Sequence, residues 1–137
     1  MQPILLDTCA VIWIAESASI AAEARDELNA AHAAGVATYI SPITAWEVGL
    51  LAARERLKLL ITPDRWFARL LALPNMRLAE MGPNLLVASS FLPGTAPRDP
   101  ADRIIAATAR DLGCLLMTRD RALLDYGEQG HVRVMAC

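Results

Sequence analysis

A chain of 137 residues has room for one domain with a sizeable core. With 55% hydrophobic and 20% charged residues it is not a disordered chain, and a formal net charge of −2 excludes a protein that holds nucleic acid by overall basicity. Contact with RNA or DNA would have to come from a local patch or from bound metal.

The cysteines, Cys9, Cys114 and Cys137, are odd in number, far apart and without CxxC spacing. They argue against a disulfide framework or a zinc site and for a reducing compartment. The N-terminus has no basic region before an apolar run and meets Asp7 early, so it does not read as a signal peptide. The uncharged run from Leu28 to Trp46 is broken by Asn29, His32, Gly35, Ser41 and Pro42, so it is not read as a membrane span. The expectation is a cytoplasmic protein with no membrane association.

Pro3-Ile4-Leu5-Leu6 reads as a short buried strand ending at Asp7, with Thr8 capping a short helix through Val11, Ile12, Trp13 and Ile14. In open parallel sheets ligands bind beyond the carboxyl ends of the strands. An acid there is informative, although an ordinary turn aspartate explains it equally. Ser19 to Ala34 follows as a helix, with Ile20, Ala24 and Leu28 at helical spacing and Gly35 closing it. His32 has no acid or cysteine partner at ligand spacing and reads as a helix-end residue. Val36 to Ile40 is the second strand.

Ser41-Pro42 opens a helix through Ile43, Glu47, Leu50, Leu51 and Arg54. Glu47 is the anomaly. Its neighbours three and four residues away are Thr44, Ile43, Leu50 and Leu51, which puts a carboxylate on the stripe that should face the core. It needs a metal, a salt bridge to an arginine, or a rim position that reaches solvent. Arg54-Glu55-Arg56-Leu57-Lys58 taken alone is a solvated basic cluster that complements the helix end. Thr62-Pro63-Asp64 opens a helix carrying Trp66, Phe67, Leu70 and Leu71. Met76 to Glu80 reads as a short strand, and Pro83 to Phe91 as a helix closed by Leu92-Pro93-Gly94.

After a loop from Pro93 to Pro100, Asp99 can cap the next helix, with Pro100 at its first position and Asp102 in its first turn. Helix physics therefore accounts for both acids without any site. Gly113 ends the helix, and Cys114 to Thr118 is a continuous apolar strand. Asp120 comes just beyond that strand and repeats the placement of Asp7. Ala122 to Tyr126 makes a short helix ending at Gly127, and His131 to Met135 is the last strand.

Strands alternating with helices predict an α/β fold with a mostly parallel sheet. Right-handed crossovers would bring Asp7, Asp120 and the Asp99–Asp102 helix start to one edge, with Glu47 reaching it from its own helix. An oxygen-only cluster suits Mg²⁺ or Mn²⁺. Such ions can turn water into a nucleophile and neutralise a phosphodiester in its transition state. The residues alone lead to an acidic metal site on an α/β fold and do not identify a substrate.

Leu5-Leu6-Asp7-Thr8, the run Ser41 to Val48, the run Asp99 to Ala109 and the run Leu116 to Leu124 closely resemble, in order and spacing, PIN-domain ribonucleases. The nearest group looks like the VapC toxins of bacterial type II toxin–antitoxin systems. The resemblance spans essentially the whole chain. It implies a three-layer α/β/α PIN-like domain over residues 1–137, and a metal-dependent endoribonuclease using Mg²⁺ or Mn²⁺ on RNA, often tRNA or rRNA. By motif match Asp7, Glu47, Asp102 and Asp120 form the acidic quartet. Asp7 and Asp102 are the main metal ligands, and Glu47 and Asp120 complete the site directly or through water. Thr8 and Thr118 support ligand geometry, and Asp99 is accessory. The resemblance also implies a VapB-like antitoxin that blocks the site, and homodimerisation.

Where this group often carries a histidine before the third motif, the chain reads Thr95-Ala96-Pro97-Arg98. That departure bears on any histidine-dependent step and leaves the acids untouched. Arg98, Arg103, Arg119 and Arg121 flank the acids and are the expected RNA contacts, with the Arg54–Lys58 cluster extending the track. Arg103 has a structural alternative, pairing with a nearby acid. The rival functions are a catalytically silent PIN-like binding module and a receiver-type signalling domain. The second wants a lysine after a late strand, and the only lysine, Lys58, lies in another region. A haloacid-dehalogenase-type phosphatase would need an aspartate two residues after Asp7, where Cys9 stands.

Overall fold

Ile4, Leu5 and Leu6 form the first strand, β1 (Ile4–Leu6), and all are buried, as a strand covered on both faces requires. In the computed structural model, which describes residues 1–137, β1 is central. It is followed by α1 (Thr8–Ala15), α2 (Ala22–Ala33), β2 (Thr38–Ile40), α3 (Pro42–Ala53), α4 (Pro63–Leu71) and β3 (Met76–Leu78). The chain continues through α5 (Pro83–Ser90), α6 (Pro100–Leu112), β4 (Leu115–Thr118), α7 (Arg121–Glu128) and β5 (Arg133–Ala136).

The sheet has five strands in the order β3-β2-β1-β4-β5, and every pairing is parallel. From β1 the chain steps outward to β2 and β3, then returns to build β4 and β5 on the other flank. The direction of winding reverses between β1 and β4, where Leu5 lies opposite Leu116. That reversal is where an open α/β sheet forms its ligand crevice.

Strand alternation sorts the core into two layers. Ile4, Leu6, Leu115 and Met117 face one way and pack with Val11 of α1, Ala24 and Ala31 of α2 and Leu70 of α4. Leu5 and Leu116 face the other way, against Ile105, Ala106 and Ala109 of α6 and Leu123 and Tyr126 of α7. The result is the three-layer α/β/α arrangement that the alternating pattern predicts.

Several boundaries differ from the sequence reading. Asp7, not Thr8, caps α1: its carboxylate accepts from the Ala10 N–H, and Thr8 is the first helical residue. The second helix begins at Ala22 without a side-chain cap, because no hydroxyl or carboxylate stands at its Ala21 N-cap. Gly127 does not end α7. A Cβ there would come within 2.1 Å of Val134 Cγ2, so its glycine serves the packing of α7 on β5.

Candidate active site

Each acid reaches the β1/β4 end of the sheet for a local reason. Asp7 follows β1 directly, Asp120 follows β4 after Arg119, and the two are the N-caps of α1 and α7; Asp99 is the N-cap of α6. Their carboxylates accept from the N–H groups of Ala10 at 2.8 Å, Leu123 at 3.1 Å and Asp102 at 3.0 Å. The positive ends of three helix dipoles therefore converge where the negative side chains stand. Asp102 lies in the first turn of α6, and Glu47 projects from the second turn of α3.

Hydroxyls tie these acids together. Thr118 is fully buried; its Oγ1 donates to Asp7 Oδ2 and accepts from the Asp120 N–H at 2.9 Å. Thr8 Oγ1 donates to Glu47 Oε1 at 2.5 Å and lies 3.0 Å from the buried Thr44 hydroxyl. Thr44 is the residue the sequence reading missed. Its signal was present, since Thr44 and Glu47 are three residues apart on one face of α3. Glu47 has no arginine salt bridge; it is half-buried, bonded to Thr8 and still in reach of solvent, as a rim position would be.

No basic side chain neutralises the cluster. The ion pairs of the chain both belong to Arg121, with Asp125 and Glu128. Burial pushes the Asp102 carboxyl up to about 7, with Asp120, Asp99, Glu47 and Asp7 adding to the rise. Burial also raises Asp7, against the hydrogen bonds from Thr118 and Ala10, and raises Glu47, against the hydrogen bond from Thr8. Cys9, next to Thr8, feels the same field. Desolvation, then Asp7, Glu47, Asp120 and Asp102, carry its thiol up to about 11, so it stays protonated at neutral pH.

The donor set fits a hard divalent cation: all carboxylate and hydroxyl oxygen, with negative charge that no arginine compensates. As they stand, no three acidic, histidine or cysteine side chains are close enough to share one ion. The cluster is open. Asp102, whose carboxylate accepts no hydrogen bond, is the member free to turn.

The four expected arginines divide. Arg103 donates to the carbonyls of Ser89 at 2.9 Å, Pro97 at 2.9 Å and Ser90 at 3.2 Å, which fastens the end of α5 and the following loop to α6. Its partners are carbonyls and not the nearby acid foreseen. Arg119 donates to the carbonyls of Cys137 at 2.7 Å and Ser19 at 2.8 Å, and stacks 3.7 Å over the Trp13 ring. Arg98 is exposed beside Asp99, and Arg121 is exposed at the start of α7.

A parallel sheet with capping acids at its winding reversal defines a class, and comparison with known proteins gives the class its family. Residues 4–129 match the model of the PIN domain, and the chain belongs to that family. It is similar to Ribonuclease VapC22 of Mycobacterium tuberculosis, with 34% identity over 133 residues, covering 92% of this chain and 93% of that one. In fold it is similar to VapBC2 from Rickettsia felis bound to a DNA fragment from the promoter, with TM-score 0.70, 11% identity and 98% of each chain covered. It is also similar to DNA-bound VapBC from Salmonella typhimurium, with TM-score 0.59, 20% identity and 99% and 98% covered. A third similar fold is FitAcB from Neisseria gonorrhoeae, with TM-score 0.57, 22% identity and 96% of each chain covered. No helix is long and apolar enough to cross a membrane.

Proposed function

We propose that the chain is a metal-dependent endoribonuclease, the toxin of a type II toxin–antitoxin pair, acting on RNA in the cytoplasm. The observation that supports this reading is the placement of Asp7, Glu47, Asp102 and Asp120 around the β1/β4 reversal with no basic side chain paired to them. The kinship with a VapC ribonuclease supplies the substrate class.

Asp7, Asp102 and Asp120 would hold Mg²⁺ or Mn²⁺, with Glu47 completing the site. Bound there, the ion supplies the charge that activates water and offsets the charge of the phosphodiester during attack. The chain's own groups set the stage for it. Thr118 and the Ala10 N–H hold Asp7 in one orientation, and Thr8 holds Glu47. Asp102, raised to about 7, shares its carboxylate with a proton near neutral pH, and a bound cation would compete with that proton. Thr8 and Thr118 are positioning residues in this scheme, and Asp99 acts through the start of α6. Arg98 and Arg121 are the exposed arginines proposed to meet RNA phosphates, Arg121 by exchanging its surface pairs with Asp125 and Glu128, because Arg103 and Arg119 spend their donors on backbone carbonyls.

A VapB-like antitoxin is the proposed partner. An apolar cavity of about 450 Å³, lined among others by Ile14, Ile20, Leu28, Leu70, Leu73 and Met76, offers it a docking surface, and the similar folds are VapBC assemblies. Val87 on α5 and Phe91 at its C-cap are exposed and offer an apolar face for a second copy of the chain.

Millimolar Mg²⁺ or Mn²⁺ should raise the melting temperature and permit cleavage of single-stranded RNA, and EDTA should reverse both. Cleavage that persists undiminished in EDTA would overturn the metal site while leaving the ribonuclease class standing.

A further inference from the structure

At the sheet edge opposite the acids lies a cavity of about 320 Å³ whose lining includes Gln2, Arg110, Gly113, Gly130, His131 and Arg133 and no acidic residue. These positions sit at the amino-terminal ends of β1, β4 and β5. The four residues of β4 separate this edge from the acids by roughly 13 Å at the usual strand rise.

Both arginines are held by neutral acceptors. Arg110 Nη1 donates to the His131 carbonyl at 2.5 Å, and Arg133 Nη1 donates to Gln2 Oε1 at 2.7 Å. Neither forms an ion pair, since the ion pairs of the chain belong to Arg121. Each guanidinium is therefore oriented, fully charged and left with most of its five donors, and the Gln2 amide nitrogen adds another. Two helices, α6 and α7, end here, and each C-terminus brings about half a negative charge. The two guanidiniums outweigh them and leave about one positive charge over the cavity. Arg110, in the last turn of α6, has a simpler role as a dipole complement; Arg133 opens a strand, where it complements no helix dipole and its one recorded partner is Gln2.

The geometry points to a second binding site on this chain, one that takes a phosphate group on Arg110 and Arg133 with room beside it for a single nucleoside. Guanidinium forks match phosphate oxygens two at a time. The volume lies at the small end of the range for small-molecule sites. The phosphate can belong to a free mononucleotide or to an RNA strand. The site does not depend on the acidic edge being a nuclease.

Calorimetric titration of the full chain, at low ionic strength and in EDTA, separates the outcomes with three probes: inorganic phosphate, AMP and a short single-stranded RNA. Phosphate and AMP should bind. Arg133→Gln and Arg110→Gln should each weaken them at least tenfold, and Arg77→Gln, at an exposed strand edge, should change nothing. Arg110→Gln can loosen the contact of α6 with His131, so Arg133→Gln, with an unaltered melting temperature, carries the decision. If only RNA binds, and Arg133→Gln weakens it and flattens its salt dependence, the site stands and RNA is its source of phosphate. The inference is overturned if Arg133→Gln leaves every probe unaffected, or if Arg77→Gln weakens binding as much.

Discussion

Thr118 and Asp7 are joined by a buried hydrogen bond across 111 residues of sequence, the Thr118 hydroxyl donating to Asp7 Oδ2. The Thr118 hydroxyl oxygen also accepts from the Asp120 N–H, so one side chain fixes the acids that follow both central strands. Thr118→Val removes the donor and the acceptor together and leaves buried groups unpaired, at about 1–3 kcal/mol. The melting temperature should fall by roughly 3–10 °C. The Asp7 carboxyl should rise further, having lost the largest influence that lowers it. Thr118→Ser should recover most of both. A Val variant as stable as the parent would show that the hydrogen bond does not organise the site.

The acidic cluster makes the metal-free protein sensitive to pH. Asp102 has a folded-state value of about 7 against 3.8 for the free side chain, so the folded chain binds this proton more tightly than the unfolded one. Its stabilisation is complete below about pH 4 and is lost as pH rises toward about 7. Glu47 and Asp7 shift the same way. In EDTA the protein should melt higher at pH 5 than at pH 8, and Asp102→Asn should flatten the difference. Divalent metal should stabilise more at pH 8, where it does not compete with the proton. A metal-free melting temperature that climbs from pH 5 to pH 8 would contradict this.

Much of this was legible in the sequence because each element carries its own local signal. Apolar runs ending in Asp7 and Asp120 gave the strands, and Ser41-Pro42 and Asp99-Pro100 gave the helix starts. Glu47 was conspicuous as an acid on an apolar stripe. What could not be read were partners distant in sequence. Nothing near Arg103 or Arg119 reveals that backbone carbonyls of Ser89, Pro97 and Cys137 occupy them. Gly127 looked like a helix stop because its contact, Val134, comes from the next strand. The capping role of Asp7 was assigned to Thr8, since either residue can cap and only the backbone geometry decides.

Gly127 tests that packing. Gly127→Ala ordinarily favours a helix by about 1 kcal/mol. Here the new methyl meets Val134 at 2.1 Å, so the variant should instead be destabilised by about 1–3 kcal/mol. The double variant with Val134→Ala should recover stability. A more stable Gly127→Ala would show that α7 and β5 are not in close contact.

The arginines should separate into two kinds. Arg103→Ala leaves three carbonyls without their donor and should lower the melting temperature by several degrees. Arg98→Ala and Arg121→Ala should leave stability within about 0.5 kcal/mol, since exposed ion pairs contribute little. Both should raise KM for RNA and reduce its salt dependence. Equal KM values for these variants and the parent would move the RNA path elsewhere.

Asp99 and Asp102 stand one helical turn apart at the start of α6, and helix physics treats them almost alike. Of the two, only Asp102 would hold the metal. Asp99→Asn keeps a competent cap and should retain near-parental stability and part of the activity. Asp102→Asn replaces a charged oxygen ligand with a neutral amide, which a hard cation binds poorly. The decisive measurement is RNA cleavage by both variants in Mn²⁺, with melting temperatures taken with and without the ion. Asp102→Asn should be folded, lose its metal-dependent stabilisation and not cleave. An Asp102→Asn that cleaves normally beside an inactive Asp99→Asn would contradict this.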